Sequence, residues 1–152
     1  MAENYYKLLQ DEVYEIICHD RFWLLHLEEV AILCRLIGLK RGLDTEVCRC
    51  AGLLHDIWLS KQEFPLAFDL HSKHGYEGSD MARDILKQNG GYSDEQIDII
   101  CRMIYNHNDK NILHDEYSEV LKDADVLQHY LYGDTWYGDT RLERGAKVAE
   151  EL

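Results

Sequence analysis

One proline, Pro65, is all that interrupts 152 residues, so little in the chain forbids long helices. No C-x-x-C motif occurs, and the five cysteines, at 18, 34, 48, 50 and 101, are odd in number. Cys48-x-Cys50 lacks the matching second pair that would complete a metal site. The five are read as reduced, mostly buried thiols of a cytosolic protein. There is no run of about 18 uncharged apolar residues, so no membrane span is expected. The first residues lack a basic flank followed by an apolar core and do not read as a signal peptide. Cations are scarce, 16 Lys and Arg against 29 Asp and Glu, for a net charge of −13. That deficit opposes nonspecific binding to duplex nucleic acid or to an anionic membrane, both of which need clustered Lys and Arg. It does not oppose a small phosphorylated substrate, whose charge a bound metal can offset locally.

What the chain does have is apolar residues, 46% of the total, enough for a globular core. The length fits a single domain over 1–152, with no repeat, low-complexity tract or linker. Helical spacing of apolar residues runs over 4–18 and 21–37, the latter nearly apolar all round at its start and ended by Gly38. Asp44 reads as the N-cap of a helix over 45–56. Residues 58–70, with Pro65 and mixed signals, read as a loop. Further helices are expected over 74–88, stopped by Gly90-Gly91, and over 94–107, opened by a Ser93/Gln96 capping box. Two more follow over 116–131 and 141–151. No segment alternates with period two. The predicted fold is all-α, a compact bundle of about five to seven helices.

Several of the eight histidines stand out on these helices. His55-Asp56 ends the apolar run Cys50 to Leu54 and offers a nitrogen and a carboxylate donor at one point, the mixture that divalent metals bind. His26 shares a stripe with Val30, Leu33 and Ile37. His107 follows Ile100, Met103 and Ile104 in the same way. Asp125 follows Leu121 by one turn and should face inward, which is unfavourable for a carboxylate unless it is paired or metal-bound. Asp123, about 200° round the wheel, is expected to point to solvent. Singly, each such residue has a bland reading: a hydrogen-bonded core histidine, or an acid capping a helix. Together on separate helices they need a common partner, and a metal supplies one. His19, His114 and His129 show no such pattern and read as surface residues.

These segments resemble the HD-domain metal-dependent phosphohydrolase superfamily. The order H…HD…D is carried by His26, His55-Asp56 and Asp125. Ala51 to Ile57 is similar to the family's A-x-L-L-H-D-I, and His74-x-x-x-Gly78 with Ala82 and Ile85-Leu86 to its H-x-x-x-G-A-x-x-A-x-x-I-L. Ile104 to His107 and Leu121 to Leu127 resemble I-x-x-H and L-x-D-A-D-x-L. The resemblance implies one metal held by His26, His55, Asp56 and Asp125. It implies a second held by His74 and His107, with Asp56 bridging. His71 competes with His74, which is preferred because Gly78 follows it in register with Ala82. The ions would be one or two divalent metals among Fe, Mn, Co, Ni, Zn and Mg.

The implied chemistry is attack of a metal-bound hydroxide on a phosphoester or phosphoanhydride of a small nucleotide or other phosphorylated metabolite. Asp56 and Asp125 would act at the reaction centre. The phosphate grip would come from Lys61, Lys110, Arg141 or Arg144, each of which, taken singly, reads more readily as a solvated charge. Two departures bear on substrate. Glu28-Glu29 follows His26 where many relatives have arginine, and Trp58 stands where many two-metal relatives read H-D-I-G-K. The aromatic and glycine-rich stretch 130–139 reads as a helix connection packed by its aromatics, or as a loop that stacks a base over the pocket. Two other functions fit the same residues, a di-iron oxygenase and a non-catalytic metal- or nucleotide-binding domain. The oligomeric state is left open, a homodimer included.

Overall fold

The computed structural model describes residues 4–63 and 68–152, with the side chains of 68–71 excepted. Among the described residues there are seven α-helices and no strand. They are α1 Tyr5–Ile16, α2 Arg21–Arg41, α3 Thr45–Leu54, α4 Phe68–Asn89, α5 Asp94–Asn106, α6 Glu116–Tyr132 and α7 Asp139–Glu151. Short 3-10 turns lie at Leu59–Lys61 and Thr135–Tyr137. The all-α bundle is as expected.

Local chemistry starts most of these helices. Asp44 accepts from the Glu46 and Val47 amides, and Ser93 and Gln96 form the reciprocal capping box of α5. Asp20 and Asp115 cap α2 and α6 in the same manner.

Several boundaries shift from the sequence reading, most by a residue or two, and three bear on the site. α2 does not end at Gly38 but runs to Arg41, and Gly42 closes it with φ +72°. Gly38 is instead a packing residue, where a Cβ would meet the Cys48 Sγ at 2.7 Å. α4 begins at Phe68 rather than 74, since nothing after Pro65 breaks a helix even though 68–73 lacks apolar periodicity. Pro65 itself and the side chain of His71 lie outside the described residues. α3 stops at Leu54, leaving His55 at its C-cap and Asp56 in the turn beyond.

α2 and α3 pack side by side at the centre, with α6 on the other flank of α2 and α5 against α3. The core is a continuous cluster that includes Leu27, Val30, Leu53, Leu54, Ile100 and Leu121, each 0% exposed. The α2–α3 approach is closest at Gly52, where a Cβ would lie 2.6 Å from the Ala31 Cα and 2.8 Å from its nitrogen. Only glycine allows that spacing, and it brings His26 and His55 to the same end of the pair. All five cysteines are free thiols, and four are buried. No described helix is long and apolar enough to cross a membrane.

Candidate metal centre

Six side chains from five helices or their ends converge. His26 comes from α2, His55 and Asp56 from the end of α3, His74 from α4, His107 from the C-cap of α5 and Asp125 from α6. The four histidines are at most 7% exposed.

The two oxygens of Asp56 face different partners. Its Oδ2 lies 3.4 Å from the His26 Nε2 and 3.3 Å from the His55 Nε2. Its Oδ1 lies 3.6 Å from the His74 Nε2 and 3.4 Å from the His107 Nε2. Within each half the rings close on one another, at 3.2 Å for His26 and His55 and 3.0 Å for His74 and His107. Asp125 adds its Oδ1 to the first half, 3.8 Å from the His55 Nε2.

Tautomers follow from the outer bonds. The His55 Nδ1–H donates to the Gly52 carbonyl at 2.7 Å, and the His107 Nδ1–H to the Ile104 carbonyl at 2.6 Å. A carbonyl only accepts, so both protons sit on Nδ1 and both Nε2 lone pairs point inward in the neutral rings. The Asp56 Oδ1 is buried with no hydrogen-bond partner. Lone pairs and carboxylate oxygens crowded in this way call for a cation. Ligands about 2.1 Å from one tetrahedral ion sit roughly 3.4 Å apart, close to the separations of 3.0 to 3.6 Å within the two triads. His26, His55 and Asp56 form one group able to hold an ion, and Asp56, His74 and His107 a second.

Electrostatics agree. Burial pulls the His107 imidazole down to about 4, outweighing Asp56, so it is neutral near pH 7. Burial also disfavours charge on His55, but Asp56 and Asp125 outweigh it and raise its pKa. Burial pushes both carboxyls up, and neighbouring cations overcome it. His55 and the surrounding rings hold Asp56 low, and Lys110 with His55 does the same for Asp125.

A cavity of about 580 Å³ opens onto the centre, with Asp56 and Asp125 on its floor and Lys110 and Arg141 in its wall. The Lys110 side chain is 6% exposed and donates to the Asp125 Oδ2 and the His107 carbonyl, each at 2.6 Å. The Tyr137 hydroxyl donates to the same Oδ2 at 3.1 Å. Asp125 is thus gripped on one oxygen and presents the other to the centre. Arg141 lies 5.0 Å over the Tyr137 ring.

Arg144 is not in the cavity wall. It binds the Asp123 Oδ1 at 2.6 Å and the Glu119 Oε2 at 2.7 Å. Lys61 is not there either; it is exposed, and its Nζ donates to the Ile16 carbonyl.

Other residues differ from their sequence reading. Asp123 does not face solvent: it is 7% exposed and paired with Arg41 and Arg144. The reason is that α6 is covered on both sides, by α2 and by α7. His114 is not idle, since it faces the fully buried Lys122 ammonium at 2.5 Å. His129 is a cavity residue. Its ring stacks on Tyr137 at 3.8 Å, and its Nδ1 lies 2.8 Å from an Asp134 oxygen. Its place one turn after Asp125 was the signal that could have identified it.

The stretch 130–139 joins α6 to α7 and also contributes Tyr132, Asp134, Trp136 and Tyr137 to the cavity wall. Glu28 and Glu29, where relatives carry arginine, have structural partners. Glu28 accepts from Gln10 and Tyr14, and Glu29 from Gln128 and Tyr132.

A family model described as the HD domain matches residues 23–129. No curated protein and no solved structure matches. The matched span covers well over half the chain and holds all six converging side chains, in the order in which the fold delivers them to one point. The chain belongs to the HD-domain superfamily, most of whose members are metal-dependent phosphohydrolases.

Proposed function

We propose that the protein is a metal-dependent phosphohydrolase that cleaves a phosphoester or phosphoanhydride of a small metabolite, with nucleotides foremost. The observation that carries this is the division of Asp56 between two histidine pairs. His26, His55, Asp56 and Asp125 would hold one ion, and His74, His107 and Asp56 a second. Bound there, a metal pair supplies Lewis acidity toward phosphoryl oxygens and makes a water acidic enough to be a nucleophile near neutral pH.

The remaining roles belong to the chain. Arg141 and Lys110 bring positive charge to a cavity that is otherwise acidic. Two of the three Lys110 donors hold Asp125 and His107, and among the described residues a third remains for a phosphate oxygen. By fixing one oxygen of Asp125, Lys110 and Tyr137 aim the other at the reacting centre, the positioning that phosphoryl transfer depends on. Phe22, Trp136 and Tyr132 give the cavity an aromatic wall against which a base can stack. Lys61 has no part in this arrangement.

The test begins with metal content of the purified protein. A panel of nucleotides and sugar phosphates is then assayed with Mn, Fe, Co and Ni. Release of phosphate or mononucleotide, abolished by Asp56→Ala, is the expected result. Metal-loaded protein that releases nothing across the panel overturns the proposal. An iron spectrum that changes with oxygen and substrate would replace it with the oxygenase chemistry.

A further inference from the structure

α2 buries one face and leaves the opposite face bare. Inward lie Leu27, Val30, Ala31, Cys34 and Ile37, none more than 1% exposed. Outward lie Phe22 at 68%, Leu25 at 46%, Ile32 at 64%, Leu36 at 46% and Leu39 at 67%. With Glu29 in the gap, positions 22, 25, 29, 32, 36 and 39 alternate in steps of three and four. That is the 3.5-residue repeat by which one helix lies along another. A surface helix ordinarily carries polar residues there, and a continuous strip of large apolar ones marks an interaction surface. The strip is about 26 Å long, at 1.5 Å per residue. Tyr132 and Trp136, 61% and 74% exposed, widen it at the Phe22 end, where all three border the cavity.

We propose that a second copy of this chain covers the strip, the two α2 helices packing antiparallel about a twofold axis at Ile32. A nearly neutral, self-complementary face points to this occupant and this direction. A chain of net charge −13 repels its own copies over most of its surface. The exposed side of α2 is an exception, with Arg21, Arg35 and Lys40 against Glu28 and Glu29, three cations to two acids; Arg41 is turned inward to Asp123 and Glu151. An axis at Ile32 sets Leu25 against the partner's Leu39 and Glu29 against the partner's Arg35. Arg35 is half exposed and only 3.7 Å from Glu46, so it is placed to reach across. A parallel pairing would set Glu29 against Glu29 and Arg35 beside Lys40, like charge against like. Leu25, Ile32, Leu36 and Leu39, with the edges of Phe22, Tyr132 and Trp136 that face away from the cavity, offer on the order of 100 Å² each and come near the about 800 Å² per partner of a stable interface. The pairing also carries the partner's Leu39 to the rim of the cavity, beside Leu25, so the second copy narrows the mouth of the metal site.

The test is the oligomeric state of the full chain, with no need of metal or substrate. Light scattering on a sizing column should give twice 17.9 kDa. Ile32→Glu sets two carboxylates on the axis and should weaken association at least 100-fold, with the helical circular dichroism and melting temperature retained. Arg35→Glu should weaken it about tenfold, more at low salt. In a Cys18→Ser background, which removes the one exposed thiol, Ile32→Cys should cross-link two chains under mild oxidation. A monomer up to millimolar concentration overturns the proposal, as does a dimer that Ile32→Glu leaves intact. A dimer that fails to cross-link through position 32 overturns the antiparallel axis.

Discussion

Gly52→Ala tests whether the fold sets the geometry of the metal centre. In the middle of a helix, alanine is favoured over glycine by about 1 kcal/mol. Against that stands the new Cβ, 2.6 Å from the Ala31 Cα and 2.9 Å from the Val30 carbonyl carbon. These are backbone atoms and have no rotamer to turn away. Reaching an ordinary contact of 3.4 Å requires α2 and α3 to part by roughly 0.8 Å. Overpacking on that scale costs about 1–3 kcal/mol, and more where backbone must yield. The clash therefore wins, with a net loss of about 1–2 kcal/mol and a fall in Tm of roughly 3–6 °C for a chain of this size. The displacement also reaches the site. The 3.2 Å gap between the His26 and His55 rings would open to roughly 4 Å, beyond the about 3.4 Å that one tetrahedral ion spans. Metal affinity should fall about 10- to 100-fold, as it does when groups that orient a ligand are lost.

Gly78→Ala is the matched control. Its Cβ would meet nothing closer than the His55 carbonyl at 3.4 Å. The helix preference then stands unopposed, and Tm should rise by about 2–4 °C. Thermal melts of metal-free protein and calorimetric Mn or Zn titrations read both effects. A Gly52→Ala protein that melts at or above the parent and binds metal undiminished refutes the reasoning.

Three further outcomes are expected. Asp56→Asn, which keeps the shape but removes the bridging charge, should lower metal stoichiometry by at least one ion per chain by elemental analysis; full occupancy would mean that Asp56 is not a bridge. Metal affinity should rise with pH. A metal takes neutral rings, and His107, held down to about 4, is already neutral, but His55 is held up, so it keeps to higher pH than a free imidazole the proton that the metal must displace. Affinity then climbs as pH passes above about 6.5, with proton release measurable by calorimetry in buffers of different ionisation enthalpy, and a flat profile from about pH 6 to 8 would contradict it. Arg144→Met should strip Asp123 and Glu119 of their shared cation. With the Asp123 side chain 10% and the Arg144 side chain 21% exposed, and with Arg41 and Lys122 still paired to the two carboxylates, the loss is about 1–2 kcal/mol, a Tm lower by roughly 3–6 °C in a melting curve.

The residues legible in the sequence were those whose chemistry is local. Asp44 and Ser93 announce helix starts because a cap bonds amides two or three residues away. His26, His107 and Asp125 showed themselves as polar groups set in apolar stripes. Features that depend on another helix were not legible. Gly38 and Gly42 are equally good terminators in a single helix, and only the Cys48 side chain packed against Gly38 decides between them. Asp123 looked solvated because a wheel shows one helix, and α7 covers that side of α6. His129 gives no periodic signal although it lies one turn from Asp125, because Asp125, Tyr132 and Gly133, one turn to either side, make no apolar stripe around it. Arg141 and Arg144 differ in role only through the neighbours that α7 gives them.

Asp56 hangs from the backbone by one rotatable pair of torsions, yet it supplies a donor to each half of the centre. Two ions held there would therefore share the same pair of torsions. Turning the carboxylate to improve one half spoils the other, so neither could be tuned alone. An ion taken up first would fix those torsions and set the second position before its occupant arrives, making loading an ordered event. Substitutions at His74 or His107 would then register in the half built by His26 and His55, with no direct contact between the altered residue and the ion that responds.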